Sequence, residues 1–120
     1  MTSNECKERL KKLNCLVVIP TYNNAGTICQ GVQSVRVFAE DILIVNDGST
    51  DQTKELIAHE EGIETVSYVP NRGKGFAIKK AFEFALAKDF RYIITIDADG
   101  QHFADDLPVF VVAIAPNQDP

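Results

Sequence analysis

Two acidic residues, Asp97 and Asp99, follow an apolar stretch and could bind a metal ion. Residues 92–96 are mostly apolar and β-branched, which is typical of a strand buried on both faces of a parallel sheet. In an extended backbone, residues two apart point the same way. Two carboxylates about 5 Å apart repel by about 3 kcal/mol at an effective dielectric of 20. A divalent cation would offset that repulsion, and oxygen ligands favour Mg²⁺ or Mn²⁺.

The residues after Asp99 fit a metal site. Gly100 lets the backbone turn, and Gln101 offers a neutral oxygen. His102 is interpreted as a residue that hydrogen-bonds to the metal-binding side chains. The alternatives are that it binds the metal itself or acts as an acid or base. The other interpretation of the acidic pair is that it caps and solvates a strand end. An Asp-x-Asp pair is common, but the buried strand before it and Gly-Gln-His after it favour the metal.

The rest of the chain predicts the elements that position this pair. Residues 1–14 are polar and charged and predict a tail or helix ahead of one domain, residues 15–120. Buried-strand patterns recur at 15–19 and 42–45, and a more exposed strand pattern lies at 64–69. Segments whose apolar residues recur at helical spacing separate these strands. A further helix is expected over the last apolar segment, residues 107–115. The β-α-β-α-β-α-β-α order predicts a three-layer α/β/α fold with a mostly parallel sheet.

Polar, turn-rich clusters follow three of these strands, at 20–23, 46–49 and 97–99. Ligands of such sheets bind beyond the carboxyl ends of the strands, so the clusters are expected to line one crevice. Tyr22 could stack on a base or pack on the sheet edge. Asp47 could accept a hydrogen bond from a base or a ribose, or could simply form the turn before Gly48.

Two further segments carry alternative interpretations. Residues 71–75, Asn-Arg-Gly-Lys-Gly, could approach a diphosphate at a helix N-terminus, or could form a turn with solvated cations. Residues 49–52, Ser-Thr-Asp-Gln, are interpreted as a capping box that opens a helix.

Composition narrows the class of protein. The chain has 120 residues, 45% hydrophobic and 24% charged, with a net charge of −5, which argues against nucleic-acid binding. Its three cysteines lack C-x-x-C spacing, which predicts a reducing, cytoplasmic compartment, with Cys15 as a core residue. The N-terminus resembles no signal peptide, and no apolar run approaches the roughly 20 residues of a membrane span.

The absence of characteristic motifs excludes dinucleotide dehydrogenases, P-loop ATPases and α/β-hydrolases. The chain contains no Gly-x-Gly-x-x-Gly after its first strand, no P-loop and no Gly-x-Ser-x-Gly elbow. A phosphate receiver would place an acidic pair after the first strand, where Thr21 and Tyr22 stand, and a nucleotidyltransferase would place a glycine-rich loop there. A nucleotide-binding or regulatory module without turnover stays open as the alternative to an enzyme.

Four motifs, in their order and spacing, resemble family 2 of the glycosyltransferases. Within that family the sequence is most similar to dolichyl- or polyprenyl-phosphate mannose and glucose synthases. The resemblance covers about residues 15–115, and the motifs are residues 18–23 (VIPTYN), 45–51 (VNDGSTD), 71–75 (NRGKG) and 97–102 (DADGQH).

The resemblance implies the GT-A fold and inverting transfer of a hexose from a nucleotide-diphosphate sugar, GDP- or UDP-linked, with Mg²⁺ or Mn²⁺. It implies a lipid-phosphate acceptor at the cytoplasmic face of a membrane. Family members continue beyond this sequence, which is therefore expected to be their donor- and metal-binding part, with the catalytic base elsewhere. The implied metal ligands are Asp97, Asp99 and Gln101. The implied nucleotide-sugar-binding residues are Pro20, Tyr22, Asn23, Asp47, Lys74, Asp97 and Ala98.

The segment 109–115, Val-Phe-Val-Val-Ala-Ile-Ala, has no polar residue on any face. One face can pack on the sheet, and the other needs a cover. Because large bare apolar patches are rare on monomers and two-fold dimers are the commonest assemblies, the sequence predicts a homodimer through this segment. The alternative is that the segment packs wholly into the core of its own chain.

Overall fold

The computed structural model describes residues 2–96 and the backbone of residues 110–113. Helices and strands alternate along most of the chain. In chain order they are α1 (Ser3–Leu13), β1 (Cys15–Thr21), α2 (Ile28–Arg36), β2 (Ile42–Asp47), α3 (Thr53–Ala58), β3 (Glu64–Tyr68), α4 (Lys74–Ala87), β4 (Tyr92–Thr95) and β5 (Phe110–Ala113).

The strands form one sheet in the order β3-β2-β1-β4-β5. The first four strands run parallel, as predicted, with Ile19 opposite Ile44 and Val17 opposite Ile94. The strand order reverses between β1 and β4, because the chain moves outward from β1 through β2 and β3 and then returns to the other side of β1. This reversal is the place where ligands of such sheets bind.

The prediction of a helix over the last apolar segment is wrong for residues 110–113. They form β5, which pairs antiparallel with β4, with Thr95 opposite Phe110 and Tyr92 opposite Ala113. The segment has no polar positions to give a helical period, and its β-branched Val111 and Val112 favour a strand. β5 is the antiparallel strand of an otherwise parallel sheet.

The central strands are buried on both faces because helices cover the sheet on both sides. Alternating residues of β1 pack in opposite directions, which explains the continuous apolar runs in the sequence. One layer contains α2 and α3, and it packs on Val17, Ile19, Ile42 and Ile44. The other layer is α4, which packs on Leu16, Val18, Leu43, Val45 and Ile93.

Small residues bring α4 close to the sheet. Ala77, Ala81 and Ala85 lie at i, i+4 and i+8, and all three are at most 1% exposed. These three alanines form the sheet-facing side of the helix. Its N-terminus therefore lies directly above the carboxyl ends of β1 and β2, where Lys74 and Ala77 border the candidate site.

The polar N-terminal stretch forms α1, the helical one of the two predicted alternatives. Thr2 and Glu5 cap it reciprocally, with the Glu5 amide donating to the Thr2 hydroxyl at 3.1 Å. Cys6 and Leu10 pack against the α2 layer. Cys15 is 2% exposed, which confirms it as a core residue, and burial, assisted by Asp41, raises the pKa of its thiol to about 11.

The tight contact of α4 gives a first prediction. Ala81→Leu inserts a larger side chain against the sheet, and overpacking of this kind typically costs 1–3 kcal/mol, so we expect a loss of about 2 kcal/mol in the free energy of unfolding. Ala87→Leu, at an exposed position of the same helix, is the matched control and should change stability by about 0.5 kcal/mol or less. Urea denaturation followed by circular dichroism measures both, and equal losses would contradict the packing.

Candidate functional site

A cavity of about 230 Å³ opens at the carboxyl ends of β1 and β2, beside the strand-order reversal. Four residues predicted to bind a nucleotide sugar, Pro20, Tyr22, Asp47 and Lys74, line it together. They come from three separate motifs, so the fold assembles what the sequence keeps apart. The full lining is Pro20, Thr21, Tyr22, Asp47, Asn71, Gly73, Lys74 and Ala77.

Asp47 ends β2 and is only 5% exposed, yet its carboxylate is well satisfied. Its Oδ1 accepts a hydrogen bond from the Arg72 amide at 2.8 Å. Its Oδ2 accepts from the Asn71 side-chain amide at 2.7 Å and from the Gly73 amide at 2.9 Å. The Asn71 amide also donates to the Asp47 carbonyl oxygen at 3.0 Å. Asp47 therefore fixes residues 71–73, which form one wall of the cavity.

This arrangement changes how Asp47 is understood. The sequence offered two roles for it, a ligand acceptor or a turn residue before Gly48. The structure adds a third role, in which the carboxylate anchors a loop 24 residues further along the chain. Asn71 donates the side-chain hydrogen bonds of this contact; the sequence identified it as part of the motif at 71–75 but gave it no role of its own. The signal that could have revealed it is that a buried carboxylate needs donors, and Asn71 leads the basic loop.

Gly48 allows the two segments to meet. Its φ is +71°, and a Cβ atom at this position would lie 2.2 Å from the Asn71 backbone nitrogen. A side chain would therefore be strained by the backbone conformation and would also collide with the loop that Asp47 holds.

The opposite wall, at Tyr22, is held by Asn23 and the loop after β2. The backbone amide of Asn23 donates to the Ser49 hydroxyl at 3.0 Å, and the Asn23 side-chain oxygen accepts from the Thr50 backbone amide at 2.7 Å. The capping box predicted at residues 49–52 is wrong, because Ser49 and Thr50 bond to Asn23 instead. The Asp51 carboxylate accepts from the Thr53 amide at 2.9 Å and also from the Ala25 amide. Asn23 itself is not among the cavity-lining residues.

Tyr22 is 46% exposed and borders the cavity, so its ring is accessible to a flat ligand. Its backbone amide donates to the Asn24 side-chain oxygen at 3.1 Å, and the Thr21 hydroxyl donates to the same oxygen at 2.7 Å. The loop that carries the ring is thus internally bonded as well as tied to the β2 loop.

The two cationic side chains of the basic loop take different places. Lys74 lines the cavity, whereas the Arg72 guanidinium lies over the Phe76 ring, 5.1 Å from its centroid. Tyr68 meets the same ring edge-on at 5.0 Å. Burial raises the pKa of Tyr68 well above its ordinary value, and the nearby Asp47 carboxylate adds to the rise. The Tyr68 hydroxyl is buried and makes no hydrogen bond with the residues that the structure describes.

The predicted metal ligands Asp97, Asp99 and Gln101 lie outside the described residues, as does Ala98. The last described residue before them is Ile96, directly after β4, whose backbone amide donates to the Val18 carbonyl of the central strand β1 at 2.9 Å. Within residues 2–96, no three His, Cys, Asp or Glu side chains come together as a metal site. The metal assignment therefore remains a prediction from the sequence.

Comparison with known proteins decides the family. The sequence profile of "Glycosyl transferase family 2" matches residues 16–119, a range that includes all four motifs. The chain belongs to glycosyltransferase family 2. The family resemblance predicted from the motifs is confirmed.

Relatives and solved structures agree with this family. The glycosyltransferase AglJ of Haloferax volcanii is 36% identical over 92 residues, covering 75% of this chain and 29% of that protein. The dolichyl-phosphate beta-glucosyltransferase of Saccharomyces cerevisiae is 30% identical, covering 82% and 34%. The structure of glucosyl-3-phosphoglycerate synthase from Mycobacterium tuberculosis, in complex with Mn²⁺ and UDP-glucose, superposes with a TM-score of 0.63 at 27% identity, covering 82% and 38%.

These comparisons confirm the predicted GT-A fold class. The chain spans between 29% and 38% of the length of the three relatives, so the family and the fold are shown for a part of their length. Among the helices of residues 2–96, none is both long and apolar enough to cross a membrane.

The close contact at Gly48 gives a second prediction. Gly48→Ala adds a collision with the Asn71 backbone to the strain of a left-handed conformation, so we expect a loss of about 3 kcal/mol or more in the free energy of unfolding. Gly62→Ala is the matched control, because Gly62 has a φ of +75° with open space around its Cβ position. It should lose only the conformational share, about 1–2 kcal/mol. Equal losses in urea denaturation would show that the contact with Asn71 carries no energy.

Proposed function

We propose that this chain is the donor- and metal-binding part of an inverting glycosyltransferase that transfers a hexose from a nucleotide-diphosphate sugar. The observation that carries the proposal is the cavity at the carboxyl ends of β1 and β2, which collects predicted donor-binding residues from three motifs. Its position beside the strand-order reversal supports the same assignment. The membership of glycosyltransferase family 2 supplies the reaction class.

In this proposal the cavity holds the nucleoside. Tyr22 stacks on the base, and the Asp47 carboxylate accepts a hydrogen bond from the base or the ribose. Pro20 forms the floor at the end of β1. Lys74, at the first turn of α4, faces the diphosphate together with the helix N-terminus. Asn23 does not line the cavity and contributes indirectly, by holding the Tyr22 loop against the loop after β2.

The metal site is proposed from the sequence. Asp97 follows the last residue of β4 by two positions, and it would hold Mg²⁺ or Mn²⁺ together with Asp99 and Gln101. Asp97 and Ala98 would also contact the nucleotide sugar. Two carboxylates and an amide oxygen are a suitable donor set for these hard cations. When bound, the cation would act as a Lewis acid that stabilises the charge of the leaving nucleoside diphosphate. Divalent ions accompany UDP or UDP-glucose in the solved relative.

The acceptor and the place of action are proposed from the relatives. One curated relative is named an undecaprenyl-phosphate mannosyltransferase and another a dolichyl-phosphate beta-glucosyltransferase. A polyprenyl phosphate is therefore the proposed acceptor, met at the cytoplasmic face of a membrane. The donor is a GDP- or UDP-hexose.

The third prediction tests the metal. Binding of UDP and GDP should weaken at least about tenfold when Mn²⁺ is replaced by a chelator, because the diphosphate loses its counter-charge. Asp99→Ala should weaken binding in Mn²⁺ by a similar factor and should make the chelator nearly without effect. Calorimetric titration of both proteins under both conditions measures these changes.

The control is Asp41→Ala, because Asp41 lies just before β2, at the end of the sheet opposite to the cavity. Its carboxylate pairs with Lys11 at 3.5 Å, so its loss should leave nucleotide affinity within about twofold. If nucleotides bind equally in all four titrations, the metal role of Asp99 is wrong. If no nucleotide binds to the folded chain in Mn²⁺, the donor-binding role of this part fails.

The fourth prediction concerns self-association, which we propose to occur through the segment 109–115. β5 pairs with β4 along one edge, and among the described residues no strand pairs with its other edge. A second copy could pair there about a two-fold axis and cover the apolar side chains, each worth about 1.5–3 kcal/mol when buried. Light scattering after size exclusion should give the mass of a dimer. A monomer at high protein concentration would refute it.

A further inference from the structure

We infer that Asn71 sets the base preference of the donor site, by leaving the Asp47 carboxylate one free acceptor position, on Oδ1 alone. That position suits the single N–H on the pairing edge of uracil and does not suit the two adjacent N–H donors of guanine. The inference rests on the proposed function, because it assumes that the cavity beside Asp47 holds the base of a nucleotide sugar.

The count of acceptor positions carries this inference. An ionised carboxylate offers about four positions, two on each oxygen. On Oδ2, the Asn71 side-chain amide at 2.7 Å and the Gly73 backbone amide at 2.9 Å take both. On Oδ1, the Arg72 amide at 2.8 Å takes one. Among the described residues no donor takes the fourth position, and Asp47 borders the cavity.

Tyr68 does not fill that position. Its hydroxyl is buried in the neighbourhood of Asp47, but it makes no hydrogen bond with the described part of the chain. The Asp47 carboxylate lies near enough to this hydroxyl to raise its pKa, but the two make no hydrogen bond, so no described residue occupies the remaining Oδ1 position.

The chemistry of the bases turns this count into a preference. Guanine presents N1–H and N2–H side by side, a fork that pairs best with one acceptor position on each carboxylate oxygen. With Oδ2 full, one of these donors would be desolvated without a partner, which lowers affinity by about tenfold or more. Uracil presents one N–H between two carbonyl oxygens, so a single position on Oδ1 satisfies it. Methylation of that nitrogen removes the donor.

Asn71 is the part of this arrangement that a substitution can test. Its side chain supplies one of the two donors on Oδ2, whereas Arg72 and Gly73 bind through their backbones. Asn71→Ala therefore frees a position on Oδ2 and leaves two hydrogen bonds that hold the loop. Asn71 acts through Asp47, so it is a positioning residue, and it should change the ratio of affinities rather than affinity alone.

The experiment is calorimetric titration of the chain, in Mn²⁺, with UDP, GDP and 3-methyluridine diphosphate. We expect UDP to bind at least about tenfold more tightly than GDP, and 3-methyluridine diphosphate to bind at least about tenfold more weakly than UDP. In Asn71→Ala the UDP-to-GDP affinity ratio should fall at least about fivefold. Gln30→Ala, an exposed amide on α2 away from the cavity lining, should leave the ratio unchanged.

The outcomes separate the inference from the function beneath it. If none of the three nucleotides binds, the proposed function fails. If UDP and GDP bind the unmodified chain equally, or if GDP binds more tightly, donor binding stands and the inference is overturned. If Asn71→Ala weakens both nucleotides by the same factor, Asn71 is merely structural and the inference is again overturned. Asn71→Gly, which also removes the side-chain donor on Oδ2, provides the same test if the alanine variant does not fold.

Discussion

The architecture of the cavity depends on the carboxylate of Asp47, a buried charge at the end of β2 that accepts three hydrogen bonds from residues 71–73. A charge with so little exposure is stable only when donors replace its lost water. The donors come from a segment that follows β3 and precedes α4, so the carboxylate joins two connections of the sheet. The same contact places Gly73 and Lys74 at the cavity and sets where α4 begins.

The loop after β2 therefore supports both walls of the candidate site. Asp47 and Gly48 hold the wall formed by residues 71–73, while Ser49, Thr50 and Asp51 hold the loop of Tyr22 through Asn23 and Ala25. Most of these bonds involve backbone amides of the loops, so they fix the course of the main chain as well as the side chains. A site built in this way is largely preformed, and its ligand need not order the walls.

Much of this fold could be predicted because its rules are local and strong. Continuous apolar strands and the alternation of strands with helices led to the parallel sheet and to its ligand-binding edge. The errors have physical reasons. The apolar segment that forms β5 carries no period that separates helix from strand, and the polar side chains of Ser49 and Thr50 fit a helix cap as well as the partner that they find in Asn23. Pro20, Tyr22 and Asp47 were placed in one crevice because strand ends meet there, and Lys74 was assigned to the donor site through the family resemblance. Asn71 was missed because its partner is distant in sequence.

The position of β1 at the centre of the sheet has a consequence for the order in which the protein can be made. β1 pairs with β2 and β4, and its Cys15 lies opposite Tyr92. During synthesis, β1, β2 and β3 leave the ribosome before β4 is made, so one edge of the buried central strand stays without a hydrogen-bonding partner until then. Such an open edge can pair with other nascent chains. Closing it requires contact across most of the chain, a slow step in a parallel sheet. The central strand that makes the finished sheet stable is thus also its most exposed element while translation is in progress.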